Sequence, residues 1–331
     1  MQISANINFI NSNQGAGFCH FDMTVFSSTL NQTAFLFCFI LFGYFLAKIN
    51  VLQPNSVKVL SKLENNLFIP ALVMGTFIEN FTVARLGEMW RLMAVSLAIE
   101  FAVIPLAILL PKLLSKDVSL QKMSTYGLAI SNWGFMGNAV MLGLFPEIFF
   151  EYIIFTLPLW IVNFLWAMPC LLMPLSQQPT LKEKLKNLVN PMFIGMVIGM
   201  IVGIAQIPLP AFFTSAVTAA GNCMSPMAML LTGITVSAID LKETFTNAKI
   251  YLISLIRLVA IPVAFAFALS FIPMSRTIYI CAVVSISMPL GMNIVVIPSA
   301  YGENRPVCSG LVIVSHLLSC ITLPLILSIF L

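Results

Sequence analysis

Ten apolar stretches separated by short polar ones account for most of the chain. A hydrocarbon core of about 30 Å is crossed by about 20 helical residues. The stretches that reach this length run over residues 30–49, 59–80, 90–110, 123–145 and 152–175, then 190–207, 212–239, 250–271, 277–300 and 307–330. They are continuous runs of Leu, Ile, Val, Met and Phe, not the alternating segments of a membrane β-barrel. The predicted class is therefore an all-α polytopic membrane protein with ten transmembrane helices. Special residues recur along it at a fixed offset. Gly43 and Gly199, Pro54 and Pro210, Asn66 and Asn222, Pro70 and Pro226, and Ser131 and Ser287 are each 156 positions apart. Glu100 and Arg257 are 157 apart, and Asn138 and Asn293 are 155 apart. This reads as a duplicated five-span unit over residues 23–175 and 190–331, with a cytoplasmic linker over 176–189 and a polar segment over 1–22. Five is odd, so the second unit is upside down relative to the first. Such a 5+5 inverted repeat is a hallmark of secondary transporters.

The apolar pattern is interrupted at matching places in the two halves. Pro70 and Pro226 lie inside the second and seventh spans, where proline removes a backbone hydrogen bond. Such breaks persist at membrane depth only beside protein or a water-filled cavity. The fourth span carries Ser131-Asn132-Trp133-Gly134-Phe135-Met136-Gly137-Asn138 near its centre, and the ninth carries Ser287-Met288-Pro289-Leu290-Gly291-Met292-Asn293. Paired Gly or Pro interruptions in corresponding spans mark transporter binding sites. Helices 4 and 9 are expected to be broken and to cross near Gly137 and Pro289. Asn132, Gly134, Gly137, Asn138, Pro289 and Asn293 are then the candidate substrate-binding residues, since half-helix amide groups suit an anion. The competing reading is close helix packing through glycine and interhelical asparagine bonds. Asn163, between Trp160 and Trp166 in the fifth span, is a weaker pocket-lining candidate.

Charge sharpens the picture. The chain is 60% hydrophobic and 8% charged, which excludes an ordinary soluble domain, where about a quarter of residues are charged. Of the fifteen Lys and Arg other than Arg257, all in or at the edges of the connections, twelve fall on alternate ones. The positive-inside rule places those connections in the cytoplasm and both termini outside, as for a multi-pass protein of the cell (plasma) membrane. The net charge of +4 thus has a membrane explanation and gives no reason to expect nucleic acid. Glu100 and Arg257 sit inside the third and eighth spans at equivalent positions. Each costs about 2.5 to 3.5 kcal/mol at a helix centre, so neither is expected to face lipid. They read either as a proton-carrying or substrate-balancing carboxylate with a charged partner, or as a structural ion pair. His316 is a lone intramembrane histidine, read as a satisfied buried residue in preference to a proton relay.

Several classes drop out. The cysteines have no CxxC spacing and read as small buried hydrophobes, so neither a metal site nor a cofactor is expected. There is no HExxH motif and no P-loop, so the chain is not expected to be an enzyme or to be driven by ATP. Residues 1–22 lack the basic-then-apolar layout of a signal peptide. They are expected to be a disordered extension, or Met23 is the true start.

The Asn132-x-Gly134-Phe135-x-Gly137 segment, Asn190-Pro191 with Gly195 and Gly199, Ser225-Pro226, and Met288-Pro289-x-x-x-Asn293 with Tyr301 together resemble the auxin efflux carrier family of bacterial and plant transporters. The likeness runs from Met23 to the end of the chain. It implies a scaffold domain from spans one, two, six and seven, a transport domain from the others, and spans four and nine crossing as broken helices beside the substrate. One departure is Ala139, where the family usually has proline, so the first break is expected to be gentler. The expected function is a secondary transporter of a small organic anion by alternating access, with H+ or Na+ as candidate coupling ions; bacterial members are associated with dicarboxylates. The alternative is a channel or a substrate-sensing receptor on a transporter fold. The expected partners are the anion, the lipid bilayer, a coupling ion and, as a candidate, a second copy of the chain.

Overall fold

The computed structural model describes residues 21–237, 247–300 and 306–331. Residues 1–20, the end of the seventh span, Lys242, Tyr301 and Arg305 lie outside the described residues. Everything described is helix, turn or loop, and the only β-type pairing recorded among these residues is an isolated antiparallel bridge between Ser131 and Leu290.

The first half is built from α1 (Met23–Lys48), α2 (Pro54–Leu63), α3 (Ile69–Asn80), α4 (Leu86–Leu114), α5 (Val118–Ala129), α6 (Asn138–Leu144) and α7 (Phe149–Val162). A short α8 (Leu181–Leu188) follows in the linker. The second half contains α9 (Pro191–Ala205), α10 (Ala211–Asn222), α11 (Met224–Ser237), α12 (Ala248–Leu255), α13 (Ile261–Ser270), α14 (Arg276–Ser287), α15 (Asn293–Ala300) and α16 (Pro306–Phe330). Local chemistry sets several ends. Asp22 caps α1 by accepting from Thr24 N at 2.7 Å and Val25 N at 3.1 Å, and Thr180 with Glu183 forms a capping box on α8. Such side chains satisfy amide groups that a helix start leaves without partners.

Among the described residues, six helices are long and apolar enough to cross a bilayer, or seven if the pair Leu181–Leu188 and Pro191–Ala205, bent by 52°, counts as one span. The second, fourth and ninth expected stretches are missing from these for physical reasons. The second carries Lys62, Glu64, Asn65 and Asn66 within its first half, and the fourth and ninth are split into pieces too short to cross alone.

Proline does not break the second span as its position suggested. A π-helical turn, Glu64–Phe68, joins α2 to α3 ahead of Pro70. The same device, Ile256–Ala260, joins α12 to α13 ahead of Pro262. A wider turn gives the proline ring room and absorbs the missing N–H, so the helix continues with a bulge. A third π stretch, Asn163–Leu172, extends α7 and contains Pro169.

Glycines bring one group of helices together. A side chain at Gly43 would collide with the Leu230 carbonyl, and one at Gly233 with the Ile40 carbonyl, so α1 and α11 touch backbone to backbone. On α9, Gly195, Gly199 and Gly203 lie against Pro70, Met74 and Phe77 of α3, and Gly221 of α10 lies against Leu72. Small residues at four-residue spacing permit this approach in membranes, where dispersion and not the hydrophobic effect holds helices together. The remaining helices pack around α4, α5, α7, α14 and α16. Gln32 ties the two groups, its Nε2 donating to Ala139 O at 2.9 Å.

Candidate functional site

The helix of the fourth span ends at Ala129, and Ile130 turns to extended geometry at φ −105° and ψ 107°. That of the ninth ends at Ser287, and Met288 turns likewise at φ −68° and ψ 148°. The two freed segments meet. Asn132 N–H donates to Pro289 O at 2.8 Å, and Gly291 N–H donates to Ile130 O at 3.2 Å. Ser131 Oγ donates to Ser285 O at 2.9 Å. A Cβ at Gly291 would stand 3.1 Å from Ile130 O, so the close approach favours glycine there. Backbone groups released by each break are thus taken up by the other.

The first break lies ahead of the place expected for it. Gly137 was expected to mark the crossing, but the chain leaves the helix at Ile130 and re-enters through a π turn, Trp133–Gly137. Gly137 instead makes room for the Tyr152 hydroxyl, which donates to Trp133 O at 3.1 Å. Gly134 has open space where a side chain would be. Pro289 is at the crossing itself. Ala139, at the family's usual proline position, lies in the first turn of α6 and is buried.

Asn293 and Asn163 are organised by Tyr126, which the sequence did not single out, and Asn132 by His316, which it did. Asn293 Nδ2 donates to the Tyr126 hydroxyl at 3.1 Å, and that hydroxyl donates to Asn163 Oδ1 at 2.8 Å. Tyr126 therefore links two of the expected site residues. Asn132 Nδ2 lies 2.9 Å from His316 Nε2, and His316 Nδ1 lies 2.8 Å from Val312 O. A carbonyl only accepts, so Nδ1 carries the ring proton and the bare Nε2 accepts from the Asn132 amide. Asn138 is buried, with no partner for its Oδ1 among the described residues.

Glu100 and Arg257 do not form a direct ion pair among the described residues; the ion pair recorded there is Arg85 with Glu151 at 3.5 Å. Arg257 instead braces the crossing. Its Nη1 donates to Leu128 O at 2.9 Å, at the end of α5, and its Nε donates to Met288 O at 3.2 Å, just past the end of α14. These are the negative ends of two half-helices, which favour a cation. Glu100 is near enough to interact electrostatically with Arg257. Both line a cavity of ≈ 20 Å³ together with Ser96, Ser131, Trp133 and Ser285. That volume admits about one water molecule, and Ser96 Oγ, Glu100 Oε1 and Trp133 Nε1 have no protein partner among the described residues.

A larger cavity of ≈ 120 Å³ lies between the first turns of α1 and α14, the end of α6 and Leu331, lined by Thr24, Ser28, Thr29, Glu147 and Arg276 among others. Among the described residues, no three His, Cys, Asp or Glu side chains gather as metal ligands.

A family model described as membrane transport protein matches residues 28–185 and 178–327, nearly the whole of the chain. Against curated proteins the chain finds no match.

Proposed function

Because the chain belongs to the auxin efflux carrier-type family of membrane transport proteins, we propose that it is a secondary carrier of a small organic anion working by alternating access. The observation that carries this reading is the antiparallel meeting of two broken helices at Ser131 and Leu290. With Arg257 on the C-terminal ends at Leu128 and Met288, the negative half-helix ends are already compensated. The N-terminal ends that begin at Trp133 and Asn293 are left for an anion. Asn132, Asn138 and Asn293 supply its polar contacts, with Gly134, Gly137 and Pro289 shaping the backbone and Asn163 acting through Tyr126. Glu100 balances Arg257 behind the site.

In this reading the chain forms ten spans in two inverted five-helix units, residues 23–175 and 190–331, with both termini outside the plasma membrane. The glycine-packed group of α1, α2, α3, α9, α10 and α11 is the scaffold, and the helices around the crossing move against it. The fit of about one water molecule in the inner cavity supports a closed state, which opens on one side at a time. Coupling to H+ or Na+ and pairing of two copies belong to the same proposal.

Reconstitution in proteoliposomes tests it. Labelled succinate, a dicarboxylate, is expected to enter saturably and to show counterflow against unlabelled succinate. Asn138→Ala and Asn293→Ala are expected to weaken both. Flux that never saturates and shows no counterflow would replace the carrier with a channel.

A further inference from the structure

His316 and Asn132 are both buried, at 4% and 3% exposure, and they hold one another in a defined arrangement. With Nδ1–H on Val312 O, the imidazole is neutral and its Nε2 is an acceptor. The Asn132 amide must then turn its NH2 toward the ring, which leaves its Oδ1 on the side away from the ring. The backbone of Asn132 is meanwhile pinned to Pro289 O and to Gly137 N–H, so only its side chain is free to change. In this arrangement the group that the side chain turns away from His316 is a carbonyl oxygen, which repels a carboxylate.

We infer that His316 is a proton-binding site that positions Asn132, so that the anion is taken up together with H+. A proton arriving on Nε2 turns that nitrogen from acceptor into donor. The Asn132 NH2 then opposes an N–H, and the amide rotates by half a turn to present Oδ1 to the ring. Its NH2 now faces away from His316, where the anion binds, and the new imidazolium adds a positive charge behind it. No bond other than the N–H forms, and the proton leaves by the reverse path once the site reopens. Proton and anion each raise the affinity for the other by the same factor, as linkage requires. Binding of the anion therefore strengthens as pH falls. The inference rests on the carrier reading for its substrate, but the ring and amide movement stands apart from it.

Other groups set the field around the ring. The titratable or charged side chains on the elements packed against α16 are Asp22 at the cap of α1, Cys38, Tyr44 and Lys48 of α1, Lys122 and Tyr126 of α5, Lys249 and Tyr251 of α12, and Arg257 of the π turn after it. On α14 they are Arg276, Tyr279 and Cys281, and on α16 itself Cys308 and Cys320. The two ring nitrogens meet Val312 and Asn132 instead, and the Cys320 thiol donates to the His316 backbone carbonyl at 3.6 Å.

The chain has two histidines, so full-length protein carrying His20→Gln and labelled with [15N]histidine gives a single ring signal in lipid bilayers. At alkaline pH the ring is expected to show Nδ1–H and bare Nε2, and on acidification both nitrogens protonate. The Asn132→Leu variant discriminates the mechanism. If the amide turns, the imidazolium has gained a charge-assisted bond to Oδ1, and losing it lowers the titration midpoint by about one pH unit. If the amide does not turn, Leu removes an opposing N–H and the midpoint rises, which overturns the inference. A ring that carries Nε2–H when neutral, or never titrates, overturns it as well. A second measurement needs no variant at Asn132. With labelled asparagine and histidine, the dipolar coupling between Asn132 Nδ2 and the ring is expected to weaken as the ring takes its proton, and a constant coupling refutes the rotation.

In proteoliposomes, His316→Gln is expected to lose both the rise in succinate affinity on acidification and accumulation driven by an acid-outside gradient. Retained accumulation would refute the coupling. Absence of counterflow in the wild type would instead sink the carrier reading for dicarboxylates, with the ring titration still deciding the switch.

Discussion

Arg257→Met removes the brace that joins the two broken spans. The guanidinium makes two hydrogen bonds from a charged, 2%-exposed side chain, to Leu128 O at 2.9 Å and to Met288 O at 3.2 Å. Hydrogen bonds to charged groups contribute about 1.5 to 3 kcal/mol each, and stripping one charge from a buried pair costs about 3 to 5 kcal/mol. The two figures describe the same charge and do not add, so the expected loss is about 3 to 5 kcal/mol. Glu100→Gln combined with Arg257→Met removes the stranded carboxylate but not the stranded carbonyls. The double variant is therefore expected to recover about 1 to 3 kcal/mol relative to the sum of the single ones. Arg257→Lys should fall between wild type and Arg257→Met, because an ammonium is a point charge and does not span two carbonyls as a planar fork does. Unfolding in mixed micelles of increasing SDS, followed by fluorescence of the four tryptophans, reads all five proteins, the Glu100→Gln single variant included. Arg257→Met stability within about 0.5 kcal/mol of wild type would refute the brace. Strict additivity to within about 0.5 kcal/mol would show that Glu100 does not answer Arg257.

Tyr126→Phe deletes the hydroxyl between Asn293 and Asn163; it is expected to cost about 1 to 3 kcal/mol in substrate affinity or stability, read by counterflow half-saturation and thermal unfolding, and an unchanged protein would remove Tyr126 from the site. Gly233→Leu places a side chain into the Ile40 carbonyl, and overpacking of this kind costs about 1 to 3 kcal/mol or more, so a drop in monodisperse yield is expected, while Gly87→Ala, with open space around it, serves as the neutral control. Glu183 is held below the ordinary carboxylate range by hydrogen bonds from the Thr180 backbone and side chain; its contribution to α8 is present above that range and is lost as pH falls through the lowered value, so protease nicking of the linker is expected to rise only in acid, and earlier in Thr180→Ala. Cysteine labelling at Ser27 and at Lys184 is expected from opposite faces of the membrane, and labelling of both from one face would undo the inverted topology.

The periodic features of this chain were legible because they follow from single residues. Apolar runs gave the helices, and proline and glycine at matching positions gave the two interrupted spans. What the sequence hid was how each interruption is repaired. Pro70 looked like a break, yet the extra residue of the π turn at Glu64–Phe68 keeps the helix continuous; nothing local distinguishes a residue that will be absorbed into a wider turn from one that will not. Gly137 looked like the crossing point because glycine permits a break, but the turn occurs at Ile130, where the partner strand from Pro289 offers a carbonyl. The position of a break in a membrane is chosen by where its orphaned groups find partners, which is a property of the other half of the chain. The same holds for charge. Opposite signs at Glu100 and Arg257 suggested a pair, whereas the stronger claim on Arg257 comes from two carbonyl ends that face each other only after both helices have broken. Compensating the negative ends with a fixed cation leaves the positive ends without a counter-charge of their own. On the carrier reading proposed above, an anion bound there would supply it, and the same electrostatic asymmetry that stabilises the crossing would select the sign of the substrate.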